Sequence, residues 1–212
     1  MTEVITPPTM PPRLNEPAPA FAARSTAGPI ALSGYRGRWL VFFSHPADFT
    51  PVCTSEFIAF ARAQDRFDAI GCALLGLSVD SLYSHIAWLR DIHERFGVKV
   101  AFPLVEDPSM AIAQAYGMID SASESSGTVR ATYVIDPSGV IRAIVWYPMN
   151  VGRSVDELLR LVAALQACER DDASTPENWR PGDPLVEHAP VADTDDAELR
   201  EGESWYFREK RA

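Results

Sequence analysis

Trp39-Leu-Val-Phe-Phe-Ser44 runs directly into His45-Pro-Ala-Asp-Phe-Thr-Pro-Val-Cys-Thr-Ser-Glu56. The first six residues are short and almost wholly apolar, the pattern of a strand buried in a parallel sheet. The twelve that follow read as a loop opening a helix. Thr50 suits the N-cap, and Pro51 stands at the first helical position, where a missing N–H is tolerated. The pattern predicts a helix from about Pro51 to Ala69, with Phe57, Phe60 and Phe67 near one face. Cys53 then falls in the first helical turn, where free backbone N–H groups and the positive end of the helix dipole favour a thiolate. The thiolate is the nucleophilic form, so this junction carries the chemistry of an activated cysteine.

Working outward, Cys72 to Val79 is a second apolar strand, and Ser81 caps a helix from Leu82 to about Phe96. Phe102 to Val105 reads as a third strand and Pro108 to Tyr116 as a short helix. Thr132–Ile135 and Val140–Trp146 form a predicted hairpin around the turn Asp136-Pro-Ser-Gly139. Ser154-Val-Asp-Glu157 is a capping box for a last helix ending near Cys168. Buried strands alternating with helices imply an α/β fold, and the hairpin makes its central sheet mixed. Residues 1–20 hold six prolines and read as an extended arm. After Cys168 the chain turns polar and acidic, closing on Glu203-Ser-Trp-Tyr-Phe-Arg208. Three adjacent aromatics on a solvated tail need a surface to bury against, for which a partner subunit is the natural candidate.

Composition narrows the function. The 212 residues are 47% hydrophobic and 23% charged, ordinary globular values that exclude disorder of the whole chain. The net charge of −10 argues against nucleic acid or an anionic membrane as the main partner. Most of that acidity is C-terminal: from Glu169 to Ala212 there are 13 acids and 6 bases. No run of 18 apolar residues predicts a membrane span, and the proline-rich start does not read as a signal peptide. Three widely spaced cysteines, Cys53, Cys72 and Cys168, an odd count, argue against a disulfide framework, and the simplest compartment is a reducing cytoplasm. No Cys or His pair has metal-ligand spacing; His85 and His93 stand eight apart.

The residues around Cys53 resemble the peroxiredoxin family, whose P-x-x-x-T-x-x-C signature is met by Pro46, Thr50 and Cys53. The longer run Ser44-His-Pro-Ala-Asp-Phe-Thr-Pro-Val-Cys-Thr-Ser-Glu56 is close to the subgroup that includes the mammalian 1-Cys enzyme and archaeal thioredoxin peroxidases. The resemblance extends from about Ala18 to the end of the chain. It takes in Val79-Asp80-Ser81, Phe102-Pro103, Thr128-Val-Arg130, the Tyr133-Val-Ile-Asp-Pro-Ser-Gly139 hairpin, Tyr147-Pro148 and Gly152-Arg153. It implies a thioredoxin-like fold at residues 21–168, with a mixed sheet flanked by helices, and a C-terminal extension at 169–212 used in dimerisation. The activity implied is reduction of hydrogen peroxide and organic hydroperoxides by thiolate attack, with no cofactor and no metal.

The same resemblance assigns roles. Cys53 is the peroxidatic sulfur, and Arg130 is the guanidinium beside it, whose five fixed donors can serve both sulfur and peroxide. Thr50 orients peroxide, Pro46 shields the thiolate from water, and Glu56 holds the arginines. His45 and Arg153 are placed in a supporting layer. Attack leaves a sulfenic acid that must be reduced. Archaeal members resolve it with cysteines in the C-terminal tail, and this tail, Trp205 to Ala212, has none. The expectation is therefore a 1-Cys mechanism with an external thiol, whether thioredoxin, glutathione or another. Cys72 in its apolar strand reads as structural, and Cys168 is the alternative resolving partner. A homodimer is expected, and relatives suggest rings of dimers.

Two other functions compete. A dithiol oxidoreductase needs Cys-x-x-Cys, whereas Thr50-Pro-Val-Cys53 puts a hydroxyl in place of the first sulfur. The lipase motif Gly-Asp-Ser-Trp credited to the mammalian relative has no serine in the corresponding Tyr35-Arg-Gly-Arg-Trp39. A peroxide sensor or redox-controlled, chaperone-like oligomer is the non-enzymatic alternative; a sensor reacts once, whereas an enzyme cycles with added thiol.

Overall fold

The computed structural model describes residues 10–119, 127–189 and 204–210. Prolines 7 and 8 of the arm and the acidic stretch 190–203 lie outside the described residues. Internal contacts group the chain into two compact units, Met1–Val155 and Asp156–Ala212.

The first unit is built on a seven-stranded sheet. Its strands are β1 (Ala22–Ser25), β2 (Gly28–Ala31), β3 (Trp39–Ser44), β4 (Cys72–Ser78), β5 (Leu104–Glu106), β6 (Arg130–Ile135) and β7 (Ile141–Tyr147), in the order β2-β1-β5-β4-β3-β6-β7. β3 runs parallel to β4, and β4 to β5, while β6 lies antiparallel to β3 and pairs with β7 as a hairpin. The sheet is therefore mixed, as the hairpin pattern predicts. Between strands lie α1 (Pro51–Arg62), α2 (Gln64–Ala69), α3 (Leu82–Phe96) and α4 (Ala111–Ala115).

All six residues of β3 are buried, as expected of a strand covered on both faces. Leu40 and Phe42 point into a cluster with Leu75, Leu77, Tyr116, Tyr133 and Ile112 of α4. Phe43 points the other way, stacking on Phe60 of α1 at 4.4 Å between ring centroids and meeting Phe57 edge-on at 5.7 Å. This aromatic contact seats α1, and with it Cys53, over the carboxyl end of β3. Gly76 of β4 makes room for it: a Cβ there would stand 3.4 Å from Phe57 and 3.0 Å from Leu104.

Three expectations need adjusting. The helix expected to run unbroken to Ala69 divides at Ala63, whose backbone (φ −93°, ψ 0°) leaves the helix and whose N–H is shared between Ala59 and Phe60; no proline or glycine marks the break. The hairpin β1–β2 escapes the sequence reading because its two four-residue strands are rich in Ala, Gly and Ser, weak strand formers. The third strand and the helix after it are shorter than expected and begin later, at Leu104 and Ala111. The arm is not free along its described part: Asn15 donates to the Ile141 carbonyl at 2.8 Å and Ala18 to that of Gly139 at 3.0 Å.

The second unit holds most of α5 (Val155–Asp171), which opens one residue after Ser154, and a two-stranded ladder of β8 (Leu185–Val186) with β9 (Glu209–Lys210). Its small core joins Ala164, Ala167, Ala173, Trp179 and Leu185. No helix among the described residues is long and apolar enough to cross a membrane.

Candidate active site

Cys53 sits at the third position of α1, and its residue is wholly inaccessible to solvent (0% exposed). Its sulfur receives a hydrogen bond from Arg130 Nη1 at 3.3 Å. The same nitrogen donates to Glu56 Oε2 at 2.8 Å, one helical turn beyond the cysteine. Arg130 opens β6, a strand paired on both sides, with β3 and with β7. Its Nε and Nη2 both donate to the Met149 carbonyl, at 2.9 and 2.7 Å, which fixes the plane of the guanidinium.

Arg153 completes the group. Its Nε and backbone N–H donate to Glu56 Oε1, and its Nη2 to Oε2, all within 3.0 Å. The fork lies over the Phe43 ring at 4.9 Å, and Nη1 reaches the Ala131 carbonyl at 3.1 Å. Gly152 lets this loop close on α1: a Cβ there would already touch Val52 at 3.4 Å. Arg130, Glu56 and Arg153 are each 7% exposed or less. Such a network holds only if every member is satisfied, and removing one partner from a buried ion pair costs about 3–5 kcal/mol. Burial alone would push the Glu56 carboxyl up; the hydrogen bonds and charge of Arg153, then Arg130, outweigh it and hold the carboxyl below its ordinary range.

The other expected residues fall into two places. Thr50 is the N-cap residue of α1 by backbone position, but its hydroxyl does not cap; it turns back to donate to the Ala47 carbonyl at 2.8 Å. Its lone pairs are left to accept. Pro46 is buried at the end of β3. His45 belongs to a neighbouring network: its Nε2 bonds Asp48 Oδ1 at 2.9 Å, its ring stacks on Trp88 at 5.1 Å, and its Nδ1 is buried without a partner. Its ring hydrogen bonds to neither Cys53 nor Arg130. His85, which the sequence reading considered only as a metal ligand, holds Asp48 Oδ2 at 2.7 Å. Burial would push the Asp48 carboxyl up, but the hydrogen bonds from the two histidines bring it down to about 2. Burial pushes His45 below the ordinary imidazole range against the pull of Asp48. The role of Met149 was not legible either, because a backbone carbonyl has no sequence signature.

Among the described residues, His45, Asp48 and Asp80 are the group whose donor atoms lie close enough for a metal ion, within 4.8 Å of one another. A cation there would break the His45–Asp48 bond and compete with the Asp48 N–H that donates to Asp80 at 2.8 Å.

These pKa directions fix a stability profile. Asp48 and Glu56 have depressed folded values, so each contributes stability that is full above its unfolded value and is lost as pH falls through the folded one. His45, kept neutral by burial, resists the proton that the unfolded chain takes up below about pH 6.5. All three signs agree. The melting temperature is expected to fall steadily from pH 7 to pH 4, starting near pH 6.5, and His45→Gln should remove the earliest part of that fall; thermal denaturation at a series of pH values checks both.

The AhpC/TSA family profile matches residues 14–144. The chain belongs to that family. A relative named peroxiredoxin 2 from Thermoplasma acidophilum is 46% identical over 92% of this chain and 98% of its own length. A peroxiredoxin from Aquifex aeolicus is 50% identical over 80% of this chain and 77% of its own. Among solved structures, the yeast mitochondrial 1-Cys peroxiredoxin, studied for thiol resolution through the glutathione and thioredoxin systems, aligns with a TM-score of 0.85 at 38% identity, covering 94% of this chain and 99% of that one. Peroxiredoxin 6 of Arenicola marina, as a cysteine-to-serine mutant, aligns with a TM-score of 0.83 at 29% identity, over 94% and 98% of the two chains. The thioredoxin-like fold expected from the sequence is thus that of this peroxiredoxin, an enzyme of the thiol-dependent peroxidase class.

Proposed function

We propose that Cys53 reduces hydrogen peroxide and organic hydroperoxides by in-line attack of its thiolate on the O–O bond, and that an external thiol regenerates it. The observation that carries this reading is the 3.3 Å contact between Arg130 Nη1 and the Cys53 sulfur. Arg130 and Arg153 bring two positive charges into a buried space that holds one carboxylate, Glu56. The attacking sulfur thus works beside a fixed guanidinium donor. In the attack, sulfur gains one peroxide oxygen and the other leaves as alkoxide or hydroxide, taking up a proton. Arg130 is the donor for charge developing on those oxygens. Thr50, its hydroxyl already donating to the Ala47 carbonyl, accepts from the O–H of the incoming peroxide. Pro46 keeps water from the sulfur, Glu56 and Arg153 hold Arg130, and His45 supports the loop that carries Thr50.

A 1-Cys cycle is favoured by the state of the other sulfurs. Burial raises the Cys72 thiol to about 12, leaving almost no thiolate at neutral pH. Cys168 is half-buried, its sulfur 3.8 Å from the Thr175 hydroxyl. The reductant is thioredoxin, glutathione or a thiol of similar reach, and the cytoplasm suits a chain with three free cysteines. We assign the catalytic domain to residues 21–168 and dimerisation to the extension 169–212. Two features support a homodimer: Trp205 and Tyr206 are more than 60% exposed, and β7 is an edge strand with Trp146 in the open. Such dimers are the building blocks for a ring.

The test is intact-mass analysis of reduced protein after one equivalent of hydrogen peroxide, without thiol. A gain of one oxygen or more, mapped to Cys53, is the expected result. Loss of two hydrogens per chain, or a covalent dimer, would instead make Cys168 or Cys72 the resolving thiol. Absence of any reaction would overturn the peroxidase reading.

A further inference from the structure

A second buried network stands beside the sulfur's own. His45, Asp48 and His85 are inaccessible or nearly so, and Asp48 is the midpoint of the loop from Pro46 to Thr50. That loop is gripped through Asp48 from three directions. His45 Nε2 donates to Oδ1 at 2.9 Å, His85 Nδ1 to Oδ2 at 2.7 Å, and the Asp48 N–H donates to Asp80 Oδ2 at 2.8 Å. Asp80 is itself held by the Ser78 hydroxyl at 3.0 Å. The far nitrogen of His85, Nε2, lies 3.2 Å from the Val105 carbonyl, so the ring spans from the loop to β5.

The backbone beyond Asp48 shows why a grip is needed. Phe49 has φ +55° and is more than half exposed. A bulky side chain adopts the left-handed region only where its neighbours compel it, and exposure gives Phe49 little burial in return. On one side the compelling neighbour is Asp48; on the other is Thr50, whose hydroxyl is turned onto Ala47. The direction of the Thr50 lone pairs therefore depends on where Asp48 is held.

We propose that His85, acting through Asp48, is a positioning residue for the peroxide site: it fixes the 46–50 loop so that Thr50 meets the incoming oxygen, without touching the sulfur. This rests on the reading of Cys53 and Thr50 given above. It separates two reactions of the same cysteine. Peroxide must be oriented by Thr50, whereas iodoacetamide has only to reach the sulfur when the surrounding side chains open.

His85→Leu is expected to lower the second-order rate constant with hydrogen peroxide at least about tenfold, since small misplacements of an orienting group cost that much or more, while alkylation of Cys53 stays within about threefold. His85→Asn puts an amide N–H where Nδ1–H stood and should restore most of the loss. Asp48→Asn should reproduce the selective defect, and the His85→Leu/Asp48→Asn double variant should be no worse than the poorer single one. Should His85→Leu fail to fold, the Asp48→Asn and His85→Asn proteins carry the test. The proposal is overturned if peroxide reduction and alkylation fall together, if neither falls, if asparagine at 85 restores nothing, or if the double variant is additive. A wild-type protein inert to peroxide overturns the reading of the site itself, and this inference with it.

Discussion

Cys53→Ser is expected to lower peroxide consumption at least about a thousandfold, to the background of the other thiols, as loss of a sole nucleophile does. The substitution keeps the side-chain size and leaves Arg130, Glu56 and Arg153 bonded to one another. It removes the one atom that attacks. A hydroxyl at this position stays protonated near neutrality even beside a guanidinium, so it is no substitute for a thiolate. Cys72→Ser is the matched control. Cys72 is 2% exposed and far from being ionised, so its loss should leave the rate per folded molecule unchanged, whatever it does to stability. Stopped-flow consumption of hydrogen peroxide by equal amounts of folded protein measures both. Full activity in the Cys53→Ser protein would remove this cysteine from the reaction.

Arg130→Ala is expected to cost about 10²- to 10³-fold in the rate of attack, the usual loss when one donor to a developing oxyanion is removed. The rest of the network survives in part, because Glu56 keeps three bonds from Arg153. What disappears is the positive charge 3.3 Å from the sulfur. Alkylation of Cys53 should consequently slow as well, and the two readouts should move together, in contrast to the selective defect expected at His85. Arg130→Lys should fall in between, since an ammonium cannot hold the Met149 carbonyl, Glu56 and the sulfur at once from a fixed plane. An unchanged second-order rate would take Arg130 out of the site.

What the sequence reveals and what it hides divide along a physical line. β3, β4, α3 and the β6–β7 hairpin are legible because apolar runs, a serine cap and a Pro-Gly turn are local signals. Thr50 and Cys53 are legible as a helix-start residue and a first-turn cysteine because they share one strand–loop–helix junction, whereas Pro46 and Glu56 take their expected roles from the family resemblance. Arg130 and Arg153 stand 77 and 100 residues from Cys53, and only the family resemblance brings them near it; no spacing rule could. The Met149 carbonyl and the Asp48–His85 bond depend on how the sheet brings distant loops together. The Thr50 hydroxyl shows the same limit at short range: its position is that of a cap, yet its bond goes backward to Ala47, because the loop turns there.

The complete burial of the Cys53 residue has a consequence for timing. Small peroxides can be admitted by slight breathing of the surrounding side chains, but a protein reductant has to form a bond to a sulfur that offers it no surface. The first turn of α1 must loosen before that bond can form. On the proposed reading of Cys53, oxidation and reduction of this sulfur run on separate clocks, one set by diffusion of a small molecule and the other by how often a helix end lets go. The dwell time of the oxidised state becomes a property of the fold, adjustable by residues that take no part in the chemistry.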